Sequence, residues 1–156
     1  MYEKIMVPLD GSELAECVLP HVEGLIKGCH VSNVVFVRVV EPITAPVGNV
    51  YIGREESRER ESTRKSAVKD YLDYLNQIVD RLKHEGTELH SEVLVGRVAD
   101  SLADYTEKND IDLVLIATHG RSGVTRWVRG SIADKILRSS NVPVLMVRAP
   151  GTKGGI

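Results

Sequence analysis

Cysteine is scarce in this chain: its 156 residues hold two, Cys17 and Cys29. They sit within one helical pattern, match no zinc-ligand spacing and cannot form a disulfide framework, so packing is their expected role. Long apolar runs are missing too. None approaches the roughly 18–20 residues that span a bilayer, so no membrane-spanning helix is expected, and no membrane partner. Charge of one sign is not in excess, with 20 Lys and Arg against 22 Asp and Glu and a net charge of −2. That excludes the strong electrostatic footprint of a general nucleic-acid binder. Residues Met1–Ile5 run straight into a strand pattern, without the apolar core and cleavage site of a secretory leader. A reducing cytoplasm is the simplest expected compartment. Two common phosphate motifs, G-x-x-x-x-G-K-[ST] and G-x-G-x-x-G, do not occur. What remains is an ordinary globular balance of 42% hydrophobic and 27% charged residues. A domain of this length buries about 68–70% of the surface its unfolded chain exposes.

The periodicity predicts nine alternating elements. Lys4–Leu9 is apolar and reads as a first buried strand, and Asp10-Gly11-Ser12 breaks it and supplies a helix cap. Leu14, Ala15, Val18, Leu19, Val22, Leu25 and Ile26 recur at helical spacing, with Pro20 expected to kink that helix or leave a local defect in it. Ser32–Val40 is β-branched and almost wholly apolar, hence a second strand, and Glu41–Gly53 is a loop rich in proline and glycine. A long helix follows over about Glu55–His84, with Val68, Leu72, Leu75, Val79 and Leu82 as its apolar stripe. Gly86 stops it. Leu89–Val95, Asp112–Ala117 and Val142–Val147 read as strands, and Ala99–Lys108 and Ser131–Ser139 as helices. Ser131 and Asp134 come close to a capping box. Strands that are apolar on both faces and alternate with helices imply a doubly wound parallel sheet covered on both sides. Residues 1–148 are expected to form one α/β domain, and residues 149–156 a flexible tail.

In such a sheet, ligands bind beyond the carboxyl ends of the strands, where the winding reverses. Two loops are equipped for that. One follows the first strand, Pro8-Leu9-Asp10-Gly11-Ser12. The other follows the fourth, A-T-H-G-R-S-G-V-T-R-W-V-R-G-S, from Ala117 to Ser131. The second has the chemistry of an anion site. Glycine lets backbone N–H groups approach a phosphate, and the helix opening at Ser131 presents unpaired N–H groups. Arg121, Arg126 and Arg129 add positive charge. Each charged hydrogen bond contributes roughly 1.5–3 kcal/mol, so three or four give micromolar affinity, about −8 kcal/mol, after ordering costs.

The spacing A-x-x-G-(nine residues)-G-S resembles the signature of the universal stress protein family. The opening V-P-L-D-G-S-E-L-A and the closing A-D-K-I-L-R-S-S-N-V-P-V-L-M-V-R resemble that family's first strand and turn and its last helix and strand. The resemblance spans about residues 1–148. It implies a Rossmann-like five-stranded parallel sheet of order 3-2-1-4-5, a homodimer, and ATP as cofactor with Mg²⁺ or Mn²⁺. By the family's ATP-binding pattern, Gly120 and Gly130 line the phosphates and Ser131 holds the terminal ones. Asp10 lies near the ribose, phosphates or a metal held through water, and Pro8 and Val39 wall the adenine and ribose. Ile116, Ala117 and His119 stand at the strand end beside the nucleotide. Leu9, Arg121, Gly123 and Ile132 complete the expected cofactor-binding set. Ala117 stands where the ATP binders carry their first glycine. A methyl group fits there if φ is below zero and is incompatible with φ above zero.

The residues leave several readings open. His119 invites a catalytic role, but no second histidine, cysteine or paired carboxylate lies near it, so a packing or hydrogen-bonding histidine is favoured. No catalytic residue is assigned. Asp10 suits a water-mediated cation site or a turn before Gly11. Ser122 and Thr125 suit loop solvation, Gly96-Arg97 a strand-to-helix turn, and Trp127 packing. The expected function is a nucleotide-dependent stress-response module that binds ATP. The alternatives are a slow ATPase or nucleotidyl transferase, an interaction module without nucleotide, or a binder of AMP or cyclic AMP. The expected dimer surface is Val142–Arg148, an apolar strand at a sheet edge.

Overall fold

A five-stranded, wholly parallel sheet in the order β3-β2-β1-β4-β5 forms the centre of the protein. Its strands are β1 (Lys4–Pro8), β2 (Asn33–Val40), β3 (Glu88–Val95), β4 (Leu113–Thr118) and β5 (Val144–Arg148). The helices are α1 (Leu19–Cys29), α2 (Arg54–Leu82), α3 (Val98–Lys108) and α4 (Ile132–Ser139), with a 3₁₀ turn at Ala15–Val18 before α1. The computed structural model describes residues 2–42, 53–118 and 132–149. No helix among them is long and apolar enough to cross a membrane.

The alternation of side chains along each strand builds two apolar layers. Ile5, Val7, Val34, Phe36, Leu113 and Leu115 face one side and pack with Val22, Ile26, Leu75, Ile78 and Leu82 of α1 and α2. Met6, Val35, Val37, Val114 and Ile116 face the other and pack with Leu102, Ala133 and Ile136 of α3 and α4. Each fully buried side chain of this kind contributes about 1.5–3 kcal/mol. This double burial explains why β1, β2 and β4 read as continuous apolar runs in the sequence.

Two helical expectations are corrected. Pro20 does not lie inside one long helix, and the local defect beside it is a change from 3₁₀ to α. The 3₁₀ turn ends at Val18, and α1 starts at Leu19 with the proline in its first turn. A proline there loses no hydrogen bond, because the first helical N–H groups have no intrahelical partner. In α2 the buried residues are Leu75, Ile78 and Leu82, whereas Leu72 is 37% exposed and Val68 and Val79 are half-buried. The first turns of α2 carry i,i+3 and i,i+4 ion pairs (Glu56 with Arg60, Glu61 with Arg64 and Lys65), as a solvated face requires.

The winding reverses between β1 and β4. At the amino end these strands are tied together: the Asp112 carboxylate accepts the N–H groups of Glu3 and Lys4, both at 2.8 Å, and the Asp112 N–H donates to the Lys4 carbonyl. Pairing runs through Ile5–Leu113 and Met6–Val114 and stops there. Beyond Met6, β1 stays with β2 as far as Pro8–Val37, and the Leu9 N–H donates to the Val37 carbonyl. Over the same stretch β4 stays with β5 as far as Thr118–Arg148. The carboxyl ends of β1 and β4 therefore part, and a crevice opens at the reversal point. Ala149 is buried and its N–H donates to Thr118, so pairing continues one residue past β5.

Candidate functional site

The wall of the crevice that follows β1 is a locked turn. The Asp10 carboxylate accepts the Ser12 N–H at 2.9 Å and the Ser12 hydroxyl at 2.6 Å. The Ser12 hydroxyl oxygen in turn accepts the Ala15 N–H at 3.1 Å, so the turn leads directly into the 3₁₀ segment, whose own cap position, Leu14, makes no side-chain hydrogen bond. Gly11, between them, has φ +84°, a conformation L side chains rarely adopt. The two hydrogen bonds accepted by Asp10 form the turn, and Asp10 remains exposed to solvent. Among the described residues there is no cluster of three or more His, Cys, Asp or Glu able to hold a metal ion.

Other expected residues are placed by β1, β2 and β4. Pro8 is half-buried at the end of β1, and Leu9 is buried in the layer beneath α1 and α2. Val39 is half-buried on the opposite layer, in the strand beside β1. Ile116 is 7% exposed and packs with Ala133 and Ile136, so its side chain belongs to the core. Ala117 lies inside β4, paired with Val147. Among the described non-glycine residues only His30 and Asp110 have positive φ, so Ala117 sits in backbone where a methyl group carries no penalty. Ile132 is exposed at the first position of α4. His119, Gly120, Arg121, Gly123, Gly130 and Ser131 lie outside the described residues. So do Ser122, Thr125, Arg126, Trp127 and Arg129.

One cluster beside the Asp10 turn escapes a reading by motif. Arg38 is the single charge in the run from Ser32 to Val40, and its guanidinium lies 3.3 Å from the centre of the Tyr71 ring and 5.7 Å from that of Tyr74. The Tyr74 hydroxyl donates to Glu16 at 3.0 Å, and Arg81 pairs with the other oxygen of that carboxylate at 2.9 Å. Burial, then the hydrogen bond to Glu16 and its negative charge, push the Tyr74 phenol well above its ordinary range. The signal available in the sequence was the arginine itself, since a charge inside a buried strand requires a partner.

Gly96 and Arg97 form a strand-to-helix turn. Gly96 has φ +150°, and a Cβ there would stand 2.6 Å from the Ser101 hydroxyl. The exposed Arg97 pairs with Asp100 in the first turn of α3.

Comparison with known proteins completes the description. The profile of the universal stress protein family matches residues 1–148. Universal stress protein MJ0577 of Methanocaldococcus jannaschii is 22% identical over 156 residues, covering 95% of this chain and 96% of that protein. Its solved structure superposes with a TM-score of 0.77, covering 97% of this chain and 99% of the other. A universal stress protein solved in complex with cAMP superposes with a TM-score of 0.60 at 19% identity, covering 96% and 98% of the two chains. A family protein from Arabidopsis thaliana with AMP bound gives 0.63 at 13% identity, covering 98% and 95%. At these identities the structural likenesses establish the shared fold.

Proposed function

This chain belongs to the universal stress protein family, and from that premise we propose that it binds ATP in the crevice between β1 and β4 and uses occupancy as a signal. The observation that carries the reading is the parting of β1 from β4 after Met6, at the point where the sheet reverses its winding. The Pro8–Ser12 turn forms one wall, and the glycine-rich segment from Ala117 to Ser131 supplies the phosphate-binding sequence opposite. In this reading Pro8 and Val39 wall the adenine and ribose, and Gly120, Gly130 and Ser131 present N–H and hydroxyl donors to the phosphates. Leu9 and Ile116 support the site from the core, consistent with their burial. His119, Arg121, Gly123 and Ile132 flank the phosphate chain.

Binding is favoured over turnover because Asp10, the acidic residue on the crevice wall, already holds its own turn through Ser12. A divalent cation would arrive on the phosphate oxygens and keep several waters, with Asp10 reaching it through water. The cAMP complex and the AMP-bound protein are family structures that carry other adenine nucleotides. The ligand is therefore tested directly, by mass spectrometry of small molecules released when the purified protein is denatured. ATP is the expected species. Recovery of AMP or cAMP alone would reassign the ligand, and steady release of ADP from added ATP would convert the reading into a slow ATPase.

The same premise extends to assembly. β5 is an edge strand whose Leu145 and Met146 are 41% and 37% exposed, on opposite faces of the sheet. An exposed apolar edge invites pairing with another chain, and we assign Val142–Arg148 as the two-fold interface of a homodimer.

A further inference from the structure

Arg38 is half-buried in a strand that is otherwise almost wholly apolar. Its strand otherwise reads N-V-V-F-V-x-V-V, and residues 34 to 37 are at most 3% exposed. The guanidinium meets two groups. It lies over the Tyr71 ring at 3.3 Å. It also stands close to Gly11, where a Cβ would lie 2.6 Å from Nη1 and 2.9 Å from Cζ. The arginine thus joins three elements, the Asp10–Ser12 turn, β2 and α2. A second tie runs in parallel, from Tyr74 and Arg81 of α2 to Glu16 in the 3₁₀ turn. Arg38 points to the α1–α2 side of the sheet with Val34 and Phe36, whereas Val39 points to the other.

We propose that Arg38 is a positioning residue for the nucleotide: stacked on Tyr71, its flat guanidinium holds the glycine of the Asp10–Ser12 turn in place, so ATP affinity depends on a pair that faces away from the ligand. This rests on the ATP reading above and adds the device that fixes one wall of the site. A planar cation stacked on tyrosine is a stiff support, and arginine meets that need where lysine does not. A Cβ at Gly11 would push the guanidinium off this position, in addition to the strain of the positive φ.

The test is a double-mutant cycle read by calorimetric titration with ATP at 25 °C, on the full chain. Arg38→Ala and Tyr71→Leu should each weaken binding about tenfold, and the double variant no more than either alone, because both remove one support. Leu82→Ala, a destabilising change at the far end of α2, should leave affinity unchanged and so separates positioning from general loss of stability. Tyr71 is half-buried on a helix, so its variant carries the test even if Arg38→Ala fails to fold. Wild-type affinity in Tyr71→Leu, or losses that multiply to about a hundredfold in the double variant, would overturn the proposal. An equal loss in Leu82→Ala would do the same. Absence of ATP binding by the unaltered chain would instead remove the nucleotide reading itself, and this proposal with it.

Discussion

Gly11 concentrates the constraints that single residues place on this site. Its φ of +84° strains any side chain, and a Cβ there, 2.6 Å from the Arg38 guanidinium, would also force the arginine off its place. Gly11→Ala should therefore cost about 1–3 kcal/mol in thermal or denaturant unfolding. A stability equal to wild type would show that the turn can adopt another backbone. Tyr74 makes a second residue-scale prediction. Burial and Glu16 raise its folded-state ionisation above the ~10 of an unfolded tyrosine. The neutral phenol is thus favoured in the native state. The stability it contributes is complete below pH ~10 and is lost as pH rises through the folded value. In an alkaline ultraviolet titration the Tyr74→Phe variant should lose the latest phenolate transition. Loss of an earlier transition instead would contradict the assignment. At this scale the sequence was partly legible. The hydrogen bonds of Asp10 and Ser12 within their turn follow from local chemistry, because short polar side chains satisfy backbone groups two or three residues away. The helix cap expected there does not form, since the cap positions are Leu14 and Val18. The Arg38 cluster was not legible, because its partners Gly11 and Tyr71 are distant in sequence and meet only through the sheet.

Elements were legible where periodicity was strong. Strands β1, β2 and β4 appear within one residue of their expected bounds, since burial on both faces leaves few polar positions to mislead. Helix α2 shows the limit. A stripe of Val68, Leu72, Leu75, Val79 and Leu82 fits helical spacing, yet the helix is rotated so that Ile78 is 1% exposed and Leu72 is 37% exposed. Tyr71 and Tyr74, reaching toward Arg38 and Glu16, share the inward side. Ile78→Ala should cost about 2–5 kcal/mol, and Leu72→Ala less than about 1 kcal/mol, in chemical unfolding. Equal costs would return the helix to the stripe read from spacing. The ends of elements were harder to read. The proline at position 20 starts α1 rather than bending it, and a pattern of apolar residues does not distinguish a 3₁₀ turn from the first turn of an α-helix. For β5, Leu145→Lys with Met146→Lys should yield a monomer by light scattering while far-ultraviolet dichroism is retained. A dimer surviving both changes would move the interface elsewhere.

For the whole molecule, the alternation of strands and helices is enough to require a parallel sheet, and the strand order places its reversal between β1 and β4. That the two strands part after Met6 is a property of the assembled sheet, set by β1 following β2 and β4 following β5. No local sequence window contains it. Ala117, the departure from the family's glycine, is reconciled at the same scale. It lies within a paired strand, where the backbone is extended and alanine is at no disadvantage. In the proposed function this crevice, with the segment from Gly120 to Ser131, holds ATP. The most direct test is calorimetric titration of the purified chain with ATP and Mg²⁺, alongside the Gly130→Val variant. The wild type should bind one ATP per chain with a Kd in the micromolar range, about −8 kcal/mol, and the variant should give no measurable heat of binding. No binding by the wild type, or equal binding by the variant, would contradict it.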